Sequence, residues 1–440
     1  MTNKNNKQDI EAVSTMSSAL SSSTLGIMPG TESPRLSTSP SSTTTKHDDD
    51  IISRIYYAAH NVVQVDPTLY PKSKDSSEDT LSEPEHAAFD TAYHLYSQTS
   101  HMGVLDPNYK VFTSKAGHGS LLYKLQARTI IIAGDPLCSE DQRQPLLEEL
   151  YQYRKPRGLG LAFVGVSQEF AEYAQQNGWA TLHFGYERVL NPLTNKVLQK
   201  QAGKRILSQN RQLLDPKRGG VSVHLYCPSV QGVNSALENQ LQELYDDWRN
   251  ERNRNNAGGF QAFVTVYDLF SHPDSTIFLY TSDSKGQPNG FATLRALGAQ
   301  TGFHLDPCIA TQSAPRGITD LLVVTAMELL RNAEIGYLSL GFEPLDGLEE
   351  IHGKSNLQSW LWKRGYSHMI KSVPTSGKAT YFSKFYPDEK LASKLFICLP
   401  AHGLPVLESI ALMHFANMDI RRLLPMRNSA KSLPKASTGA

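Results

Sequence analysis

Two side chains in the second half of the chain are of types and in settings that could move a proton or stabilise a charge. Asp306 lies in the sequence LDP. A carboxylate beside an acceptor hydroxyl can orient it or take its proton, an effect of about two to four powers of ten in rate. The local alternative is a turn or capping carboxylate, a common use of aspartate in loops. Lys384 lies among Tyr381, Phe382, Phe385 and Tyr386. There an ammonium can stabilise a developing oxyanion or hold a ribose or phosphate oxygen; the alternative is an exposed lysine on an edge strand. Glu187, in FGYERVL, suits a salt bridge at a strand end. Gly317 opens a helix whose free N–H groups can bind an anion, and Asp320 suits the first-turn dipole of that helix. The segment APRGITD lacks the run of glycines that would cradle the pyrophosphate of coenzyme A, which tells against that donor.

These residues need a scaffold, and the hydrophobic period supplies one. Residues 306–345 read as a loop, a helix carrying Leu321, Val324, Met327 and Leu330 toward a sheet, and a buried strand ending at Gly341. Upstream, strands at 120–125 and 129–134, a helix at 141–154, the strand LAFVGV, the helix QEFAEYAQQNG and the strand ATLHFGYERVL alternate. After a basic amphipathic helix over 196–212 the pattern restarts with VSVHLYC, a helix through ENQLQELYDDWRNERNR, strands AFVTVYDLF, STIFLYTS and FATLRALG, then the 306–345 unit. The fold class expected is α/β, with two tandem acyltransferase-like (GNAT-like) halves. The boundaries read 1–86 as a disordered Ser/Thr-rich tail and linker, interrupted by an apolar helical pattern over 48–59, then 87–220 and 221–400 as the two halves, and 401–440 as an amphipathic helix and tail.

The chain has 440 residues, 40% of them hydrophobic, and 43 basic against 43 acidic residues. Two cores can be filled, and any nucleic-acid contact must come from a local patch. Four cysteines without CxxC or CxH spacing argue against structural zinc and for a reducing, cytoplasmic setting. No apolar leader and no spanning stretch is visible, so the chain reads as soluble or peripheral to a membrane.

Relative to Asp306, the residues Pro315, Gly317 and Asp320 stand at offsets of nine, eleven and fourteen. With TIIIAGDPL at 129–137, GYLSLGFEPL at 336–345 and YFSKFYP at 381–387, this grammar resembles the C-terminal catalytic domain of the phosphatidylglycerol lysyltransferases. That family takes amino acids from aminoacyl-tRNA and esterifies lipids. The resemblance runs over about residues 90–400. It implies a tandem acetyltransferase-like fold with an active site between lipid and tRNA entrances.

The resemblance also implies roles. Asp306 and Lys384 become catalytic, and Glu187, Ile309, Gly317 and Glu343 become substrate-binding. Lys196, Lys200, Lys204, Arg205 and Arg211 become a tRNA-binding patch, since phosphate contacts demand clustered cations; a solvated helix face is the alternative. No metal or cofactor is implied, because aminoacyl-tRNA is itself an ester donor. Bacterial members carry Arg three residues after the Asp, where this chain has Ile309. An apolar side chain offers a phosphate no charge-assisted bond. The Ser/Thr-rich tail and the absence from this sequence of the family's membrane-spanning half resemble the freestanding fungal members of ergosteryl-glycine synthase type, which acylate the 3β-hydroxyl of ergosterol. Glycyl-tRNA, a sterol or other membrane lipid, and a transient membrane contact through an amphipathic helix at 404–425 are the implied partners. A phosphatidylglycerol acceptor, an N-acetyltransferase, or a non-catalytic lipid- or RNA-binding module are the alternatives.

Overall fold

A strand, a crossover helix and a parallel strand occur twice in the computed structural model, which describes residues 50–65, 84–255, 266–370, 376–400 and 406–415. Helix α1 (Ile51–Ala59), strand β1 (Gln64–Val65) and helix α2 (Pro84–Tyr96) come first, followed by a 3-10 segment at Thr99–Leu105. The first half contains β2 (Lys110–Thr113), β3 (Ser120–Gln126), β4 (Thr129–Ala133), α3 (Glu140–Arg154), β5 (Gly160–Val166), α4 (Gln168–Gln176) and β6 (Ala180–Leu190). Helix α5 (Lys204–Leu214) leads into β7 (Ser222–Tyr226), the single turn α6 (Pro228–Gln231) and α7 (Ser235–Asn255). The second half continues with β8 (Thr276–Ser282), β9 (Pro288–Ala296), β10 (Phe303–Ala310), α8 (Ile318–Asn332) and β11 (Leu338–Pro344). Last come β12 (Ile351–His352), α9 (Asn356–Ile370), α10 (Ser376–Ser383), β13 (Ser393–Leu399) and α11 (Val406–Phe415).

These strands form one sheet in the order β1-β7-β8-β9-β10-β11-β6-β13-β5-β4-β3-β2, with β12 paired to β6. The parallel pairs β4–β5 and β10–β11 are the two crossover units. Strand β6 lies antiparallel to β11, and β13 inserts antiparallel between β5 and β6. Residues 393–399 thus complete the first half, so the 220/221 boundary divides the sequence without dividing the sheet.

Nearly all of α8 is buried. A helix that is apolar on every side must be covered on every side, and here Ile51, Ile52 and Ile55 of α1 with Ile206 and Leu213 of α5 share its core. The Arg54 guanidinium donates to the Ala333 carbonyl at the end of α8, at 2.5 Å. This corrects the sequence boundary: residues 50–65, read as tail and linker, belong to the fold, while 1–49 and 66–83 lie outside the described residues. A nine-residue helix flanked by low-complexity sequence is marginal alone; α1 is stabilised by burial on α8. Ile55, fully buried, is therefore expected to cost about 2–5 kcal/mol when changed to Ala, read as a lower urea midpoint.

Three further elements differ from the sequence reading. Residues 306–310, read as loop, are the outer part of β10. The basic helix read over 196–212 begins only at Lys204, because Gly203 is left-handed (φ 67°) and Lys200 also has positive φ (60°). Lys196 and Lys200 therefore sit on the turns before it. The described part of AFVTVYDLF, 266–270, is coil and turn, and 262–265 lie outside the described residues. Of the helix read at 404–425, Val406–Phe415 is helical, and the rest, with Arg421 and Arg422, lies outside the described residues.

Candidate active site

Strand β10 pairs with β9 until the register shifts between Leu305 and Cys308. The bulge re-aims the chain at Asp306, a usual function of such irregularities. The Thr293 hydroxyl donates to the Asp306 carbonyl, and the Tyr267 hydroxyl donates to Asp306 Oδ2 at 2.9 Å. Burial, then the nearby Asp306 carboxylate, raises the Tyr245 phenol above its ordinary range. Asp306 thus faces α7 and the Tyr267 segment. Ile309 faces the same way, 3% exposed, in a cluster with Leu105, Tyr245, Tyr267 and Phe291. It is a closed part of that wall and does not stand open to solvent. Cys308 turns to the α8 face, its thiol pushed up by burial, then by Asp320 and Asp306.

At the start of α8, Gly317 has φ 99°, and a Cβ there would lie 2.5 Å from the Gln209 amide nitrogen. The left-handed backbone favours glycine, and a side chain there would displace Gln209. Gln209 Nε2 donates to the Arg316 carbonyl at 2.5 Å, tying α5 to the α8 entrance. One turn on, Asp320 is 7% exposed and accepts from Lys384 Nζ at 2.5 Å. The ammonium also lies 3.8 Å from the Tyr381 ring centroid and 5.1 Å from that of Phe385. Lys384 is therefore not an edge-strand lysine: it follows the last residue of α10, half-buried. Asp320 does more than favour a helix dipole, since it holds the lysine in place.

Glu187, on β6, is 8% exposed and accepts three hydroxyls: Thr99 Oγ1 at 2.6 Å, Tyr337 OH at 2.9 Å and Ser393 Oγ at 3.4 Å. Among the described residues no cation pairs with it. Burial and then Glu187 raise the Tyr337 phenol, which keeps it a donor. The carboxylate lines a cavity of ≈ 260 Å³ with Gln98, Thr99, Ser100, Ser167, Tyr337 and Ser393. A buried carboxylate served only by neutral donors retains capacity for an ammonium. The salt bridge that the sequence offered as its alternative falls instead on the next residue, Arg188.

Arg188 grips Glu343 with two bonds, Nε to Oε2 at 2.8 Å and Nη2 to Oε1 at 3.1 Å, and reaches Glu389 at 3.0 Å. The hydrogen bond to Glu343 is the first cause of the raised Arg188 pKa. Glu343 was expected to bind substrate; a bidentate guanidinium already occupies both its oxygens, and its place is a clamp between β6 and β11.

Behind the cavity, Asp135 is held by the Ser167 backbone N–H (2.8 Å), the Ser167 hydroxyl (2.6 Å) and Gln98 Nε2 (3.1 Å). His101, fully buried, accepts the Gln98 N–H at Nδ1 (2.9 Å), so its proton is on Nε2, facing the Asp135 carbonyl at 2.9 Å. The sequence reading did not single out either residue. Burial lowers the His101 pKa from 6.5 to about 4. The folded state keeps this ring neutral while the unfolded chain protonates below 6.5, so its stability is full above pH 6.5 and falls as pH drops toward 4. The loss attributable to this ring is about 3 kcal/mol. His101→Gln should flatten that part of the melting-temperature profile, as checked by calorimetry across the window.

Lys196, Lys200, Lys204, Arg205 and Arg211 are all exposed. Lys204 and Arg205 are in the first turn of α5 and Arg211 in its last, and Lys196 lies 6.0 Å from the Tyr386 ring. Through the Gln209–Arg316 bond this basic surface borders the α8 entrance where Lys384 is held.

A family model described as "Phosphatidylglycerol lysyltransferase, C-terminal" matches residues 91–396. The phosphatidylglycerol lysyltransferase of Bacillus subtilis is 22% identical over 247 residues, which are 56% of this chain and 27% of that protein. Among solved structures, the C-terminal domain of a putative lysylphosphatidylglycerol synthetase from Agrobacterium fabrum has a TM-score of 0.57 at 17% identity, covering 75% of this chain and 95% of that one. L-PGS from Bacillus licheniformis gives 0.58 at 16%, covering 76% and 97%. At such identities the likeness speaks to the fold.

Proposed function

The chain belongs to the phosphatidylglycerol lysyltransferase C-terminal family, and from that premise we propose that it transfers an aminoacyl group, glycine, from aminoacyl-tRNA to a lipid hydroxyl, the 3β-hydroxyl of ergosterol. The observation that carries the aminoacyl reading is Glu187: a buried carboxylate with hydroxyl donors only, open to a cavity. It suits the ammonium of an aminoacyl ester. The 3-10 segment Thr99–Leu105 links it to the base, because Thr99 bonds Glu187 while Leu105 packs with Ile309 and Tyr267 beside Asp306.

The chemistry exchanges one ester for another. The acceptor oxygen attacks the aminoacyl carbonyl carbon, the bond from that carbon to the ribose oxygen breaks, and the acceptor proton passes through Asp306 to the departing ribose oxygen. Lys384, fixed by Asp320 on the α8 side of β10, holds a ribose or phosphate oxygen of the tRNA end beside the Gly317 entrance of α8. Asp306 turns to the α7 side, and Lys384 takes no part in the proton transfer there. The exposed cations of α5 and the preceding turns guide the tRNA to that side. Lys204→Glu with Arg205→Glu should raise KM for charged tRNA with kcat little changed, and lower the salt slope of binding by about 2.

The Ile309 side chain itself offers a phosphate no charge-assisted bond and so supports a neutral acceptor, while the Arg249 guanidinium acts electrostatically on Tyr245 of the same cluster. Phosphatidylglycerol is the second reading, favoured by the activity for which the Bacillus subtilis relative is named. Purified protein supplied with labelled glycyl-tRNA and vesicles containing ergosterol or phosphatidylglycerol separates the two. Label in the sterol ester supports the proposal; label only in phosphatidylglycerol overturns the sterol reading.

A further inference from the structure

Helix α9 has two faces, and among the described residues only one of them packs into the fold. Trp362, Tyr366 and Ile370, four residues apart, pack on the cluster containing Leu182, Phe184 and Leu395. The Tyr366 hydroxyl donates to the Phe184 and Leu345 carbonyls, both at 3.0 Å. The opposite stripe, Leu357, Trp360 and Leu361, is 68%, 54% and 44% exposed. Spacings of three and four residues place these side chains on one surface. Apolar side chains clustered on a surface in this way mark an interaction site.

The charges beside this stripe identify its partner. Helix α9 contains no acidic residue, and Lys363 and Arg364 are exposed on it, with the Arg364 guanidinium 5.6 Å over the Trp360 ring. In a chain with no net formal charge, this is a local positive excess. Glu408 acts electrostatically on Lys354, two residues before the helix, which brings the start of α11 alongside. Its neighbour Leu407 is 61% exposed. The α9 stripe carries a tryptophan and leucines with cations and no acids, and Glu408 beside Leu407 faces Lys354. This matches a bilayer interface, where indole sits at headgroup level and basic side chains meet lipid phosphates.

We propose that α9, extended by Leu407, is a docking surface that lays the protein on an anionic lipid bilayer. The proposal rests on the lipid-acceptor reading for its purpose, because no described helix is long and apolar enough to cross a membrane and the acceptor must be drawn from one. Docking there also orients the site: α9 is bonded to Phe184 of β6, three residues from Glu187.

The test uses the full chain without tRNA, so that it does not depend on turnover. Vesicles of phosphatidylcholine alone, and with phosphatidylserine added, are pelleted with the wild type, with Trp360→Glu/Leu361→Glu and with Lys363→Glu/Arg364→Glu. The wild type is expected to pellet, more so with phosphatidylserine. The apolar pair of changes should weaken binding by about ten-fold or more on both vesicles, with an unchanged melting temperature. The charge reversal should remove only the gain from phosphatidylserine. The proposal is overturned if the apolar variant pellets like the wild type. It is also overturned if the wild type stays in the supernatant while light scattering shows a dimer that the variant dissolves, which would make a second copy the partner. Vesicle binding that follows the expected pattern, with no transfer to any lipid, would sink the proposed activity and leave the docking surface standing.

Discussion

Asp306→Asn is expected to lower aminoacyl transfer by about two to four powers of ten in kcat, with the protein folded and charged tRNA still bound. The substitution is chosen because an asparagine oxygen can still accept from the Tyr267 hydroxyl, 2.9 Å away in the wild type, while the amide has no useful basicity. The change therefore separates a base from an anchor. If Asp306 serves only to tether the segment carrying Tyr267, Asn keeps the tether and activity survives. In that event Tyr267→Phe would cost as much as any change at Asp306. The account expects the reverse: Tyr267→Phe has a modest effect, and single-turnover measurement with preloaded tRNA assigns the loss in Asp306→Asn to the chemical step.

Lys384→Ala should abolish measurable transfer and also destabilise the fold, and the two effects have different causes. Asp320, 7% exposed, would be left without its ammonium. Removing one partner of a well-buried pair costs about 3–5 kcal/mol, with the lower end fitting a lysine whose side chain is 30% exposed. The double change Asp320→Asn/Lys384→Met removes both charges and keeps the volume, so stability should return to within about 1 kcal/mol of wild type. Transfer should not return with it, because the ammonium proposed to hold the tRNA end is still missing. Recovery of activity in the double variant would make Lys384 a structural neutraliser of Asp320 and nothing more.

Much of the architecture was legible because it rests on local period. The strands around 129–134 and 180–190 and the apolar helix after Gly317 were read from alternation and helical spacing, and the structure has them at β4, β6 and α8. Strand β10 was misread as loop because Pro307 and the register shift at Leu305/Cys308 interrupt its alternation. The apolar helical pattern over 48–59 is legible, but its place in the fold is not, because α1 is buried against α8, far along the chain. The site residues followed the same division. Asp306, Lys384 and Glu187 could be named from residue type and motif, but their partners could not. Lys384 meets a carboxylate 64 positions away, and Arg188 meets Glu343 across 155. The three donors on Glu187 come from residues 99, 337 and 393. Such pairings are set by the sheet order, in which β6 stands between β11 and β13, and no local window contains that order.

The central claim is that the aminoacyl ester passes from tRNA to a lipid hydroxyl. Its most direct test is a single incubation of the purified full chain with tRNA charged with labelled glycine and ergosterol vesicles, followed by solvent extraction. The account predicts label moving into an organic-soluble, base-labile ester as it leaves the tRNA, without acetyl-CoA or nucleotide. Label that stays on tRNA, or is released only as free amino acid with every charged tRNA and lipid acceptor supplied to the folded protein, would contradict it.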